Sequence, residues 1–363
     1  MSVTLEDVAA KAGASITTVS FVLRGKTKQA RISDRLSRRI LIAARELGYR
    51  KDDYAAAMIT GKANASGFLL FDSLNEFSSR ILNGILDAAG QYDHLIKIVN
   101  VPYSTPLDEI ADICVRQRFT ALITYNDIQL SIQLARRLSN CNIQTIALGA
   151  FGKNQEAGLP ATIPVIETDN YIGGRLAFEH FYSLGHRRFC VMTLRDKRKW
   201  AYDRFRGFCD AAADAGTPVL PKNILSFERM VTEVPEAELP PAFPGAYFRG
   251  KNGATALFTY SDYSALHMMM RLQKAGVRTP DDVSVIGYGD SFFSPYSYPD
   301  ITTLRESFDE MGALCVKLII EARDNHSVSG SEGGRMIPPK LVARGSTSAP
   351  RTHLLSKRKS SNP

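Results

Sequence analysis

The sequence lacks any apolar run approaching the about 20 residues that a bilayer span requires. Its longest apolar stretches, 121–125 and 254–260, are far shorter, so no membrane segment is predicted. The opening residues carry two acids and no apolar run behind a basic patch, which argues against a secretory signal and predicts a cytoplasmic chain. The five cysteines are odd in number and form no Cys-x-x-Cys pair, so we expect reduced thiols and neither a disulfide framework nor a zinc site.

The signatures of common catalytic sites are also missing. The sequence contains no glycine-rich phosphate loop, no Gly-x-Ser-x-Gly elbow and no His-Glu-x-x-His motif. His180 and His186 are better interpreted as helix-capping and packing residues than as metal ligands. We therefore expect no metal, no cofactor and no enzymatic activity; a sugar-processing enzyme with an accessory head, the enzymatic alternative, needs an acid/base pair that the sequence does not display.

What the sequence does contain is an ordinary globular composition with unevenly placed charge. Its 363 residues, 44% apolar and 23% charged, predict two or three folded units. Residues 1–63 carry 12 Lys/Arg and 6 Asp/Glu, residues 344–363 carry 5 Lys/Arg and no acid, and the net charge is +8, so the 280 residues between sum to −3. A basic head on a mildly acidic body is typical of a small domain that binds a polyanion; solvated surface charge without a partner is the alternative.

Three short helices are predicted within the first fifty residues. Thr4 opens the first with a capping-box-like pattern, and Gly13 ends it. Ser15 caps a second helix over 16 to about 23, and the tight turn between the two makes a helix-turn-helix. Ser33 caps the third helix, which a glycine closes just before Tyr49.

These residues resemble the DNA-binding head of the lactose-repressor (LacI/GalR) family nearly position by position, over 3–25, 46–49 and 60–62. The resemblance continues in body motifs that include Asp169-Asn170, Glu179-His180, Leu184-Gly-His-Arg-Arg188, Arg204-Phe-Arg-Gly-Phe208, Asp282-Val-Ser-Val-Ile-Gly-Tyr288, Thr302-Thr-Leu304 and Leu341-Val-Ala-Arg-Gly-Ser346. It covers residues 3 to about 348. It implies an α/β chain: an N-terminal helix-turn-helix three-helix head, then a two-lobed body of doubly wound parallel sheets like those of periplasmic binding proteins.

The domain boundaries follow from the same resemblance. The predicted head is 1–50, the hinge 51–65, the effector-binding and dimerisation domain 66–348, and a basic disordered tail 349–363; a second nucleic-acid site is the alternative interpretation of the tail. Lobe one is expected to comprise 66–166 and about 304–328, and lobe two 167–303 and about 335–348.

The resemblance also assigns DNA contacts. In the family, the residues after the capping serine and the one after the Val-Ser pair read bases, and these positions are Ile16, Thr17 and Phe21. Phe21 replaces the family's usual polar residue, so it is expected to cover a thymine methyl, unless it packs into the head's own core. The other predicted DNA-binding residues act as caps, phosphate contacts or backbone clamps, and these are Thr4, Ser15, Thr18, Ser20, Lys26, Lys28, Arg31 and Tyr49.

The hinge is predicted to order only on DNA, since isolated helices this short are marginal in water. In the family, paired hinge helices insert a Leu into the central base step of the minor groove, and Met58 occupies that position here. Ala56 replaces the usual Arg nearby, which removes a phosphate contact. By composition alone, the segment is typical of an inert spacer.

Strand-like runs alternate with helical ones from residue 66, which predicts two series of parallel strands with a ligand crevice at their carboxyl ends. Arg204 matches the family's effector-binding Arg, a surface Arg being the alternative. The other predicted effector-binding residues are Asp72, Phe227, Ser261, Asp262 and Asp290, and rings that could stack on a ligand or simply pack in the core are Phe77, Tyr125, Tyr288, Phe292 and Phe293. Glycines at 149 and 289 replace two family carboxylates, which leaves a sugar effector as a class expectation only.

Together these features predict a homodimeric, sequence-specific transcription regulator, a repressor by expectation and tetrameric if dimers pair. Its partners are double-stranded operator DNA and a small-molecule effector, with no membrane, and the effector acts by favouring one lobe arrangement. A solute-binding receptor without a DNA role is the rival hypothesis, which the helical head argues against.

Overall fold

The computed structural model describes residues 3–23, 25, 27, 30–50, 63–71, 75–125, 127–149, 163–195, 198–227, 244–250, 252–325 and 335–351. The chain separates into two compact units, residues 1–63 and residues 64–363.

The first unit is a three-helix head whose helices are α1 (Leu5–Ala12), α2 (Ile16–Leu23) and α3 (Asp34–Leu47). The predicted capping box of α1 is present: Thr4 Oγ1 accepts the N–H of Asp7 at 3.3 Å, and the N–H of Thr4 donates to the Asp7 carboxylate at 2.8 Å. Ser33 caps α3 by accepting the N–H of Leu36 at 3.4 Å. The apolar stripes of the three helices meet in one core, built from Val8, Ala9, Ala12, Val19, Val22, Ile40, Ala43 and Ala44. Local capping and apolar spacing therefore account for the head.

The described residues of the second unit form two six-stranded sheets. The first sheet consists of β1 (Ala65–Phe71), β2 (Leu95–Val101), β3 (Ala121–Tyr125), β4 (Gln144–Leu148), β5 (Val165–Thr168) and β11 (Arg335–Ile337). Its strands lie in the order β11-β5-β4-β3-β1-β2. All its pairings are parallel. The helices of this lobe are α4 (Glu76–Gly90), α5 (Leu107–Arg116), α6 (Ile128–Leu138) and α10 (Phe308–Asn325). Helices α4 and α10 bury one face together against the sheet, since Ile81, Met311 and Cys315 share a core with Phe68.

The second sheet consists of β6 (Phe189–Leu194), β7 (Ile224–Phe227), β8 (Ala256–Phe258), β9 (Ser284–Tyr288), β10 (Thr302–Arg305) and β12 (Lys340–Val342). Its strands lie in the order β12-β10-β9-β8-β6-β7. Its pairings are parallel except for β10 with β12. The helices of this lobe are α7 (Asn170–Ser183), α8 (Lys199–Asp214) and α9 (Asp262–Lys274). Helices α7 and α8 bury Phe178, Phe181 and Phe208 against Phe189 of β6.

In the part of the chain that the structure describes, three short segments join the lobes, at 168–170, 305–308 and 337–340. Each segment lies slightly C-terminal to the lobe boundary expected from the sequence. Strand β5 keeps 167–168 in the first sheet, and β10 keeps 304–305 in the second. The assignment of 335–337 to lobe two is wrong, because these residues pair in parallel with Ile166–Thr168 of the first sheet.

The start of the predicted disordered tail is also corrected. The backbone of Ser348 is hydrogen-bonded to Ser284, and Arg351 forms an ion pair with Asp281 at 2.6 Å. The chain is therefore packed against lobe two as far as Arg351, and residues 352–363 lie outside the described residues.

Among the described helices, none is long and apolar enough to cross a membrane. The five cysteines are free thiols, and burial raises the pKa of Cys114 and Cys209 to about 12.

Candidate DNA-binding surface and effector site

Helix α2 has a buried side and an exposed side. Val19 and Val22 fill the head core, whereas Ile16 and Phe21 are 46% and 39% exposed and Thr17 is exposed as well. The alternative in which Phe21 packs into the head core is therefore wrong, because other α2 side chains occupy it. All three positions predicted to read bases are accessible.

The start of α2 is held by Ser15. Its Oγ accepts the N–H of Thr18 at 3.1 Å, and the hydroxyls of these two residues lie 2.8 Å apart. The first N–H groups of a helix lack partners within the helix and attract phosphate oxygens. Ser20, further along the same helix, is half-buried. The start of α2, with the hydroxyls of Ser15 and Thr18, has the polar groups that a DNA backbone contact needs.

The remaining predicted DNA contacts are spread over the head. Thr4 is exposed, and its hydrogen bonds to Asp7 hold the pKa of that carboxyl below its usual range. Arg31 is exposed, with a left-handed backbone at φ 52°. Tyr49 packs half-buried against the head core. Three predicted contacts lie outside the described residues, namely Lys26, Lys28 and Met58.

In the body, Arg204 of α8 is only 7% exposed, so it is not the surface arginine of the alternative interpretation. Its Nε donates to the side-chain oxygen of Asn170 at 2.7 Å, and its Nη1 donates to the main-chain oxygen of Tyr260 at 2.7 Å. Its Nη2 donates to Glu306 Oε1 at 2.9 Å. Asn170 and Glu306 lie at two of the segments that join the lobes. Arg204, which lies on α8 of lobe two, is therefore hydrogen-bonded to two crossover segments.

Aromatic rings lie close to the same guanidinium. Its central carbon lies 3.4 Å from the ring centroid of Tyr288 and 4.8 Å from that of Trp200. A cation over an aromatic face is stabilised, more strongly where water is excluded. Burial and these rings hold the guanidinium in one position.

Glu306 is the buried counter-ion of Arg204. Burial raises the pKa of its carboxyl, and the positive charges of Arg204 and Arg80 oppose this. Because an arginine side chain stays protonated in proteins, the pair is maintained by charge as well as by the hydrogen bond.

Ser261 and Asp262 form the start of α9. Ser261 Oγ accepts the N–H of Ser264 at 3.2 Å and caps the helix. The Asp262 carboxylate is fully buried and accepts hydrogen bonds from the Thr303 hydroxyl, the N–H of Ser291 and the Ser294 hydroxyl at 2.6 to 2.8 Å. Burial raises its pKa, which these hydrogen bonds oppose. Asp262 thus supports the loop after β9, next to the Tyr260 carbonyl that Arg204 binds.

Asp290 has a different environment from the one expected for an effector ligand. Arg305 donates to one of its oxygens at 2.5 Å and Arg344 to the other at 2.6 Å. Burial raises the pKa of Asp290, but the hydrogen bonds from Arg344 and Arg305 outweigh it and leave the pKa below its usual range. Both carboxylate oxygens are committed within lobe two.

Phe227 ends β7 and packs half-buried against the core of lobe two that contains Tyr260. The predicted effector residue Asp72 lies outside the described residues. Of the predicted stacking rings, Phe292 is 69% exposed, Tyr288 is fully buried beside Arg204, and Phe77, Tyr125 and Phe293 are half-buried at the edges of the lobe cores.

The first turns of α4 connect lobe one to lobe two. Glu76 accepts the N–H of Phe292 at 2.7 Å and the hydroxyl of Tyr263 at 3.2 Å. Arg80 donates to the main-chain oxygens of residues 289 and 290. At the side of the crossovers, Lys199 of lobe two lies 3.7 Å from Glu167 of lobe one.

Neither the residue pattern nor the family resemblance gave a site role to Asn170, Glu306, Glu76 or Arg80. Glu306 directly follows β10 and Asn170 comes two residues after β5, and this position at the end of a strand is a signal that could have found them. Nothing in the sequence pairs Glu76 or Arg80 with the loop after β9.

Comparison with known proteins agrees with this arrangement. Residues 4–52 match the model of bacterial regulatory proteins of the lacI family, and residues 178–347 match that of the periplasmic binding protein-like domain. The HTH-type transcriptional regulator DegA of Bacillus subtilis (strain 168) is 26% identical over 96% of this chain and 99% of its own length. The lac repressor dimer bound to operator and the anti-inducer ONPF has a TM-score of 0.66 at 22% identity, over 96% of this chain and 100% of that one. The complex of the transcriptional regulator CelR with cellobiose has a TM-score of 0.62 at 19% identity, over 95% and 99%.

A helix-turn-helix head followed by a two-lobed ligand-binding body defines a DNA-binding regulator of transcription. The chain carries the DNA-binding domain of the lacI family of bacterial regulatory proteins, followed by a periplasmic binding protein-like domain.

Proposed function

We propose that this protein is a cytoplasmic repressor that binds an approximately palindromic operator as a homodimer and responds to a small molecule bound between its lobes. The observation that carries the effector part is the position of Arg204, whose donors bind Asn170 at one crossover and Glu306 at another. A ligand that competes for or adds to these contacts has different affinities for different lobe arrangements, which is the requirement for an allosteric response.

The DNA part is supported by the exposed side of α2. Ile16, Thr17 and Phe21 are accessible, and one short helix contacts too few base pairs for useful specificity without a second head. The lac repressor dimer of similar fold was bound to its operator, which favours the same mode here. We propose that Phe21 covers a thymine methyl.

The DNA part is tested by selecting binding sites from random duplexes with the full chain. We expect a palindromic consensus and a dimer in analytical ultracentrifugation. Binding that depends only on duplex length and disappears at moderate salt contradicts the proposal. Met58→Ala tests the proposed hinge wedge: specific affinity and operator bending should both fall, with non-specific affinity nearly unchanged.

Arg204→Ala tests the effector part. The variant should still bind the selected operator but lose its response to effector. Screening small sugars and glycosides by thermal shift identifies ligands, since a ligand specific for the folded state raises the melting temperature. The cellobiose complex of CelR makes sugars the first class to test.

Arg206→Ala is the matched control. Arg206 lies on the same helix with its side chain 50% exposed, paired with Asp210 at 3.8 Å. This variant should respond to effector normally. Unchanged ligand affinity in Arg204→Ala places the effector elsewhere.

A further inference from the structure

Asn64 lies where the chain enters the body, since it is the first residue of the second unit and directly precedes β1. We propose that Asn64 is a positioning residue: helices α4 and α10 hold it, and through it they pass the arrangement of the lobes to the predicted hinge. This inference rests on the proposed function, because it concerns how the lobes act on operator binding.

Both polar atoms of the Asn64 side chain have partners. Its Oδ1 accepts hydrogen bonds from Arg323 Nη1 of α10 at 2.9 Å and from His94 Nδ1 at 3.1 Å. Its Nδ2 donates to the main-chain oxygen of Asp93, and its main-chain oxygen accepts the N–H of Leu95 at 3.0 Å. Only one orientation of the amide satisfies these donors and acceptors. Residue 64 is therefore fixed to lobe one by its side chain as well as by its backbone.

His94 connects this contact to α4 and β1. Its N–H donates to the main-chain oxygen of Ala89, in the last turn of α4, at 3.1 Å, and its Nε2 lies 2.9 Å from Ser66 Oγ. Because Asn64 Oδ1 is an acceptor, the ring proton is on Nδ1, and Nε2 accepts the Ser66 hydroxyl. Burial, and then the charge of Arg323, lower the pKa of His94 to about 4, so the ring is neutral at neutral pH. The C-terminal ends of both helices thus meet at Asn64.

Helices α4 and α10 are packed backbone to backbone. A Cβ at Gly84 would overlap the main-chain oxygen of Phe308, and one at Gly312 would overlap the main chain of Gly84. Close-packed elements resist compression and transmit displacement. Helix α10 has 18 residues, which span about 27 Å at 1.5 Å per residue. A displacement at one end of the α4–α10 pair therefore reaches the other end.

The opposite ends of the two helices are bound to lobe two. Arg80, in the first turns of α4, donates to the main-chain oxygens of residues 289 and 290. Glu306, two residues before α10, accepts a hydrogen bond from Arg204 of α8. The pair is bound to lobe two at one end and to the start of β1 at the other. It is therefore a physical connection between the lobe arrangement and the hinge.

The first experiment measures the hold on Asn64 without DNA. A nitroxide label is attached to Ala63→Cys of the full chain, with Cys141 and Cys209 replaced by serine because neither thiol is fully buried. Electron paramagnetic resonance should show a restricted label in this parent protein and a more mobile label in Arg323→Gln. Asn64→Ala removes the acceptor itself and should give the same increase in mobility.

Lys317→Gln is the matched control. Lys317 also lies on α10, but its side chain is 60% exposed and paired with Glu321 at 3.8 Å. The label spectrum of this variant should match that of the parent protein. An unchanged spectrum in folded Arg323→Gln overturns the inference.

The second experiment measures transmission to DNA. Affinity for the selected duplex is compared among wild type, Arg80→Ala, Arg323→Gln and the double variant. Arg80→Ala releases α4 from lobe two, so it should change this affinity at least about threefold, but less than about 1.5-fold in the Arg323→Gln background. Residues that only support the fold would act independently, and their effects would multiply. Equal factors in both backgrounds overturn the inference, as does an Arg80→Ala variant that binds like wild type.

The outcomes separate this inference from the proposed function. Specific binding to a selected duplex, with independent effects of Arg80→Ala and Arg323→Gln, contradicts the inference and leaves the function intact. The absence of any preferred duplex contradicts the function, and the label at residue 63 then decides whether Arg323 holds Asn64 in place.

Discussion

Arg80 Nη1 donates to the main-chain oxygen of Gly289 at 2.7 Å and links the two lobes of the body. The same nitrogen lies 3.0 Å from the oxygen of Asp290, and the guanidinium lies 5.0 Å from the ring centroid of Phe308. With Glu76 bound to the N–H of Phe292, one turn of α4 holds the loop after β9 by its backbone. Substitution of the loop side chains alone cannot remove these contacts.

Arg80→Ala is expected to let the lobes separate. Hydrogen bonds to a charged group contribute about 1.5 to 3 kcal/mol, and every 1.4 kcal/mol changes a two-state equilibrium about tenfold. The radius of gyration of the body from small-angle scattering should therefore increase.

Arg305→Ala is the control, because Arg305 pairs with Asp290 inside lobe two. Its scattering should match that of wild type. An unchanged radius of gyration in Arg80→Ala shows that other contacts hold the lobes together.

Gly207→Ala is expected to destabilise lobe two. A Cβ at Gly207 would overlap the main-chain oxygen of Tyr171, so α7 and α8 would have to move apart. Overpacking of this kind costs about 1 to 3 kcal/mol, measured by urea unfolding.

Gly90→Ala provides the comparison. No atom lies within 4 Å of a Cβ at this last residue of α4, so the change should be neutral or slightly stabilising. Equal stability of the two variants means that the close approach of α7 and α8 is not required.

His94 is expected to make stability depend on pH. Its Nε2 lies 2.9 Å from Ser66 Oγ and its Nδ1 lies 3.1 Å from Asn64 Oδ1. Burial, and then the charge of Arg323, lower its pKa from 6.5 to about 4. The unfolded chain therefore takes up a proton at higher pH than the folded chain. The contribution of neutral His94 to the free energy of unfolding is therefore fully present above about pH 6.5 and is lost as the pH falls towards 4.

A pKa shift of one unit corresponds to about 1.4 kcal/mol, so the lowering of the His94 pKa from 6.5 to about 4 is worth about 3 kcal/mol in the free energy of unfolding. His94→Gln should lose about that much of the pH dependence between pH 7 and 4, measured by urea unfolding at each pH. The contributions of His180 and His186, whose pKa values burial also lowers, remain in both proteins. Identical pH profiles would show that His94 titrates normally in the folded state.

Phe21→Ala should separate DNA binding from folding. Phe21 is exposed, so the melting temperature of the head should change little, while affinity for the selected operator falls. Val19→Ala is the opposite case: its side chain is fully buried, and the cavity should cost the head about 1 to 3 kcal/mol. Equal operator affinity for Phe21→Ala and wild type would remove Phe21 from the base-reading set.

The sequence alone determined what depends on neighbouring residues. The helix caps at Thr4, Ser15 and Ser33 act over three residues, so their pattern was sufficient to place the three head helices. Alternating strand and helix runs likewise predicted two parallel sheets, because each lobe repeats the same local unit. The likeness to a known family led to Arg204, but not to the residues that bind it.

Only the tertiary structure decided which distant groups meet. Arg204 is 34 residues from Asn170 and 102 from Glu306 along the chain, and Arg80 is 209 from Gly289. Strand β11 is only three residues long, so its membership in the first sheet followed from its pairing with β5 and not from its own pattern. Asp290 was expected to bind ligand, but folding places two arginines against it. These contacts form because burial leaves each polar or charged group in need of a partner, and the packing of the whole body decides which partner is within reach.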